Sequence, residues 1–118
     1  MADREAPARV ALVWEDDDGA HRVPLAPAGV LQLGRDPACD VALSNLSVSR
    51  RHAELRVGDD GGALVRHLSR NSPTWLNGRL IVGEAPVAPG DVLRLGIVEL
   101  RVVGAGIEGR DARSRVGL

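Results

Sequence analysis

The sequence predicts an all-β sandwich, and three observations carry that expectation. Apolar residues recur with period two in most segments where a pattern can be read, and no window shows the i, i+3, i+4, i+7 recurrence of an amphipathic helix. Turn-forming residues punctuate the chain at short intervals. Many short strands so closely spaced stack as two facing sheets. The composition, 44% apolar and 26% charged over 118 residues, is that of one ordinary folded domain, but it includes no Phe, no Tyr and only two Trp. The core must therefore be built from Val, Leu, Ile and Ala.

Taken in order, Val10-Ala11-Leu12-Val13-Trp14 is a continuous apolar run and reads as a centrally buried strand. Turns follow at Asp18-Gly19 and at Pro27 to Gly29, and strands at Val30 to Leu33 and Val41 to Leu43 are separated by Asp36-Pro37. In the segment from His52 to Val57, Ala53, Leu55 and Val57 alternate with His52, Glu54 and Arg56, which predicts one buried face and a wet face that includes His52. After the turn at Gly58 to Gly62, Ala63-Leu64-Val65 is a second continuous run. Thr74-Trp75-Leu76 and Arg79-Leu80-Ile81 flank Asn77-Gly78, the pair best suited to a type I′ hairpin because both central residues need φ > 0, and strand character extends over Leu80 to Val82. Pro89-Gly90 precedes a strand at Val92 to Leu95. In the last strand Val98, Leu100 and Val102 alternate with Glu99 and Arg101, and Gly104 marks a turn after it. Residues 1–8 and 105–118 carry no strand pattern and read as flexible tails around a domain of residues 9–104.

Charge and aromatic content exclude several function classes. With 15 basic and 16 acidic residues the net charge is -1, so nothing drives sequence-independent attraction to nucleic acid or to an anionic membrane. The scarcity of aromatics argues against base-stacking platforms and against grooves that clamp Pro-rich peptides. Cys39 is the single cysteine, which rules out an internal disulfide or a Cys-rich metal knuckle and suits a reducing cytoplasm. No apolar run approaches the length of a membrane span, and the first residues lack the basic-then-apolar order of a signal peptide. The acidic run Glu15 to Asp18 reads as a solvated hairpin loop.

Three polar stretches interrupt the strands: Gly34-Arg35-Asp36, Ser47 to His52 and Ser69 to Thr74. They offer guanidinium groups, hydroxyls and an amide, a donor set that suits an oxyanion better than a reaction. A hydrolytic triad drawn from Ser49, His52 and Asp36 or Asp40 lacks a nucleophile elbow. In an extended segment, residues three apart also point to opposite faces. His21, His52, His67 and Cys39 show no metal-ligand spacing. The expectation is a protein without catalytic activity, metal or cofactor.

The order Gly34-Arg35, Ser49-Arg50-Arg51-His52, Asn71 to Thr74 and Asn77-Gly78 resembles the forkhead-associated (FHA) domain over roughly residues 10–104. That resemblance implies an FHA-type sandwich of about eleven short, mostly antiparallel strands, with binding loops at one end that recognise phosphothreonine peptides. Carried over by position, it assigns the phosphate to Arg35, Ser49 and Arg50, and the peptide backbone to Asn71 with Arg70 and Ser72. It leaves Gly34, His52, Thr74, Asn77 and Gly78 as structural support. The stretch Asn71-Ser72-Pro73-Thr74 departs from the family's Asn-Gly-Thr by one residue. Either Asn71 keeps the role across an insertion or Ser72 occupies the position; Asn71 is favoured, because its amide offers both donor and acceptor. The implied partner is a phosphothreonine-containing protein from another chain, a Ser/Thr kinase or its substrate, since Thr74 is the single threonine here. The alternative is an FHA-fold interaction module that works independently of phosphate. The Ala- and Arg-rich composition without lysine resembles that of high-GC bacterial proteins.

Overall fold

The computed structural model describes residues 10–104, and the two segments expected to be tails lie outside them. Among the described residues there are eleven strands and no helix. In chain order they are β1 (Val10–Asp16), β2 (Gly19–Leu25), β3 (Val30–Gly34), β4 (Val41–Ala42), β5 (Ala53–Val57) and β6 (Ala63–His67), followed by β7 (Thr74–Leu76), β8 (Arg79–Leu80), β9 (Glu84–Val87), β10 (Val92–Leu95) and β11 (Val98–Gly104). They form a six-stranded sheet in the order β2-β1-β11-β10-β7-β8 and a five-stranded sheet in the order β4-β3-β5-β6-β9. β3 and β4 pair in parallel, whereas the neighbouring β3–β5 and β5–β6 pairs are antiparallel.

Alternation decides which side chains meet between the sheets. Leu12, Leu93, Leu95, Leu100 and Val102 of one sheet and Leu33, Val41, Leu55, Val57 and Val65 of the other are buried in a single cluster. With no Phe or Tyr available, branched aliphatics fill this space, each stabilising by about 1.5–3 kcal/mol on burial. The outer face of the smaller sheet carries the polar half of the same pattern. Gln32, Glu54, Arg66 and Glu84 stand in cross-strand register.

Several expectations are corrected. Leu64 is 39% exposed, because β6 follows the alternation rather than the continuous burial its apolar run suggested. The strand expected at Val41 to Leu43 ends at Ala42, and the one expected over Leu80 to Val82 ends at Leu80. Gly104 ends β11 as a paired residue opposite Val10 instead of marking a turn. β2 and β9 were not anticipated. Each contains a proline, Pro24 or Pro86, and each lies at the edge of its sheet, where a missing N–H costs no ladder bond. His52 precedes β5 and is fully buried rather than wet.

The Asn77-Gly78 hairpin forms as expected, with φ of 51° and 82°. Asn77 does more than turn the chain. Its amide nitrogen donates to Asp91 Oδ1 at 3.0 Å and its oxygen accepts the Val92 N–H at 2.8 Å, tying β7–β8 to the start of β10. The β6–β7 connection crosses from the smaller to the larger sheet, and this crossing delivers residues 68–73 to the end of the sandwich that also receives the β3–β4 and β4–β5 loops.

Candidate functional site

The three polar stretches come together at that end through backbone bonds. The Arg35 N–H donates to Ser49 O at 2.9 Å and the Asp36 N–H to Arg50 O at 3.2 Å, so the strand end at Gly34-Arg35 lies flush against residues 49–50. Only glycine fits at position 34. A Cβ there would overlap the Arg50 carbonyl oxygen and stand 3.0 Å from that of Ser49, both backbone atoms that cannot swing aside. Gly34→Ala should therefore cost about 1–3 kcal/mol of stability, the range for overpacking. Chemical denaturation checks this, and an unchanged midpoint would contradict so close an approach.

Arg35 is half-buried, and its Nε donates to Val48 O at 3.0 Å. This bond fixes the plane of the guanidinium and leaves both terminal nitrogens without a partner among the described residues. Arg50 and Arg70 are exposed, and among the described residues neither forms an ion pair. The loop end thus carries cationic groups that no carboxylate of the described chain neutralises.

His52 holds the loops from beneath. The Ser49 N–H donates to its Nδ1 at 3.1 Å, and because a backbone N–H can only donate, Nδ1 carries no proton. The proton of the neutral ring is therefore on Nε2, which donates to Pro73 O at 2.9 Å. Burial pushes its pKa down from the ordinary 6.5, with the neighbouring His67 acting in the same direction and the Pro73 bond opposing both. His67 lies edge-on to it, with ring centroids 6.1 Å apart, and shares a 2.8 Å hydrogen bond with Thr74 Oγ1. Thr74 is fully buried.

Ser49 Oγ faces Ser69 Oγ at 2.5 Å, and Ser69 Oγ also accepts the N–H groups of Asn71 at 3.1 Å and Ser72 at 3.0 Å. Asn71 is exposed, and its side-chain amide makes no hydrogen bond among the described residues; Ser72 is half-buried. The β10–β11 turn closes the cluster, with the Gly96 N–H donating to Pro73 O and the Ile97 N–H to Ser47 Oγ. Sequence reasoning gave no role to Ser69. Its place inside the third polar stretch was the available signal, but its partner Ser49 is 20 residues away.

This geometry does not assemble a triad. The Ser49 hydroxyl is paired with Ser69 and not with His52, while Asp36 Oδ1 accepts the Ala38 N–H and Asp40 Oδ2 accepts that of Gln32. Burial raises the Cys39 thiol pKa, which disfavours a thiolate. What the loop end presents is a hydrogen-bonded cluster of guanidinium, hydroxyl and amide groups.

The chain belongs to the FHA domain family, whose model matches residues 31–96. Among solved structures, it is similar to the FHA domain of CT664 protein from Chlamydia trachomatis, at 26% identity and a TM-score of 0.76, over 81% of this chain and 97% of that one. It is also similar to the FhaA FHA domain complexed with the intracellular domain of Rv3910, at 34% identity and a TM-score of 0.69, over 79% and 98% of the two chains. A third similar domain comes from a structural and functional analysis of phosphothreonine-dependent FHA domain interactions. It shares 36% identity at a TM-score of 0.70 and covers 81% and 96% of the two chains. The serine/threonine-protein kinase RAD53 of Saccharomyces cerevisiae is 37% identical over 71 residues, which are 58% of this chain and 8% of that protein. The chain likewise spans 6% and 3% of two further curated relatives.

Proposed function

We propose that this chain recognises phosphothreonine on partner proteins, as an adaptor in Ser/Thr kinase signalling or protein assembly. The observation that carries this reading is the joining of Gly34-Arg35, Ser49-Arg50 and Ser69 to Ser72 by direct hydrogen bonds, beside a guanidinium fork of Arg35 that has no partner among the described residues. A phosphate dianion is acceptor-only and needs several converging donors. Arg35 matches two of its oxygens, the Ser49 hydroxyl a third, and Arg50 adds charge from the rim. Asn71, whose side-chain amide is unengaged among the described residues, holds the peptide main chain, with Arg70 and Ser72 alongside. Gly34, His52, Thr74, Asn77 and Gly78 act through the loops they brace.

The ligand comes from another chain, because the one threonine of the sequence is buried and bonded to His67. A Ser/Thr kinase or its substrate would supply it. The setting is the bacterial cytoplasm, in keeping with the lysine-free, Arg-rich composition and a single cysteine. Calorimetric titration with an oriented phosphothreonine peptide library and its dephosphorylated counterpart tests the reading: binding should require the phosphate. Equal binding of both sets would instead identify a phosphate-independent interaction module.

A further inference from the structure

The hydrogen bonds around Ser69 determine which way the Ser49 hydroxyl points. A serine oxygen has two lone pairs and one proton. Ser69 Oγ is within reach of three groups, and two of them, the Asn71 and Ser72 N–H groups, can only donate. With both lone pairs engaged, its own proton must go to the third neighbour, Ser49 Oγ. Ser49 is then the acceptor in that pair, and its proton is free for a ligand. Ser69 is 8% exposed, so water competes little for these bonds, and successive donors polarise one another in such surroundings.

We propose that Ser69 is a positioning residue that turns the Ser49 hydroxyl proton toward the ligand and couples this to the shape of the 69–72 turn. The inference rests on the phosphothreonine reading. The same oxygen that sets the direction of Ser49 holds the N–H groups on either side of Asn71, so the group that reads the phosphate and the segment that reads the peptide share one hinge atom. A hydroxyl whose proton is turned toward the ligand also favours an ionised phosphate, an acceptor-only group that takes a stronger hydrogen bond than an unmodified threonine hydroxyl does.

A double-mutant cycle with one phosphothreonine peptide, measured by calorimetry, tests this. Ser49→Ala should weaken binding about 10-fold and Ser69→Ala about fivefold, the ranges for hydrogen bonds to a charged and to a neutral partner. The double variant should bind no worse than about 10-fold below wild type, because Ser69 acts through Ser49. Ser69→Thr, which keeps the hydroxyl, should restore most of the affinity. Additive losses of about 50-fold, or no rescue by Thr, would overturn the relay while leaving the phosphate reading intact. A wild type that ignores the phosphate while Ser49→Ala changes nothing would overturn both. Amide exchange of the free protein gives a separate check: Asn71 and Ser72 should exchange faster in Ser69→Ala, and unchanged rates would overturn the geometry without reference to any ligand.

Discussion

Arg35→Ala should lower affinity for a phosphothreonine peptide by about 30-fold or more and leave the protein folded. Removing one member of a desolvated, hydrogen-bonded charge pair costs on the order of 2–5 kcal/mol, largely because the phosphate is left without its counter-charge. The effect on stability is far smaller. Among the described residues Arg35 makes a single side-chain bond, from Nε to Val48 O, whose loss costs about 1 kcal/mol. Arg35→Lys separates charge from shape, since lysine retains the positive charge but lacks the planar fork and cannot use Nε to fix its direction. Its affinity should fall between those of wild type and the alanine variant. Calorimetry with phosphorylated and unphosphorylated peptide checks both, and the weak binding of the unphosphorylated peptide should be the same for all three proteins. An alanine variant that binds the phosphopeptide as wild type does would exclude Arg35 from the phosphate contact.

His52→Ala acts on the fold first, and should cost about 3 kcal/mol. It opens a cavity where a fully buried ring stood, strands the Ser49 N–H and takes away one of the two donors to the Pro73 carbonyl, the Gly96 N–H being the other. The same ring makes stability depend on pH. Its folded pKa lies below the ordinary 6.5, so on acidification the unfolded chain takes up this proton before the folded one does. The contribution is fully present above about pH 6.5 and is lost as pH falls from there toward the folded value, with a slope approaching 1.4 kcal/mol per pH unit. Protonation of Nδ1 would also break the bond from the Ser49 N–H, so the loss is directed at the site. Urea unfolding of the wild type at pH 7.0 and 5.5 should show this decline, and a His52→Asn variant should flatten it. A stability rising as pH falls through this window would contradict a neutral buried ring.

Much of the fold was legible because a strand with one buried face shows that face at every second residue. Val98 to Val102 and Ala53 to Val57 are of this kind, and their alternation matches their burial. β2 and β9 were not legible, because Pro24 and Pro86 weigh against a strand until it is known that both lie at sheet edges. The site divides in a similar way. Arg35, Ser49 and Arg50 stand in short runs whose residue types announce an anion. The burial of His52 and the role of Ser69 depend on which loops meet. The 49–52 segment bends instead of extending, so a residue expected on the wet face turns inward to reach Pro73. Ser69 looks like any loop serine until Ser49 is placed against it.

The most direct measurement follows the backbone amides of Arg35, Ser49, Asn71 and Ser72 by NMR during titration with a phosphothreonine peptide and then with its dephosphorylated form. All four resonances should shift with the first peptide and remain in place with the second. Shifts that appear equally with both peptides, or that fall on the outer sheet faces and leave these four amides unmoved, would contradict phosphate recognition by the loop end.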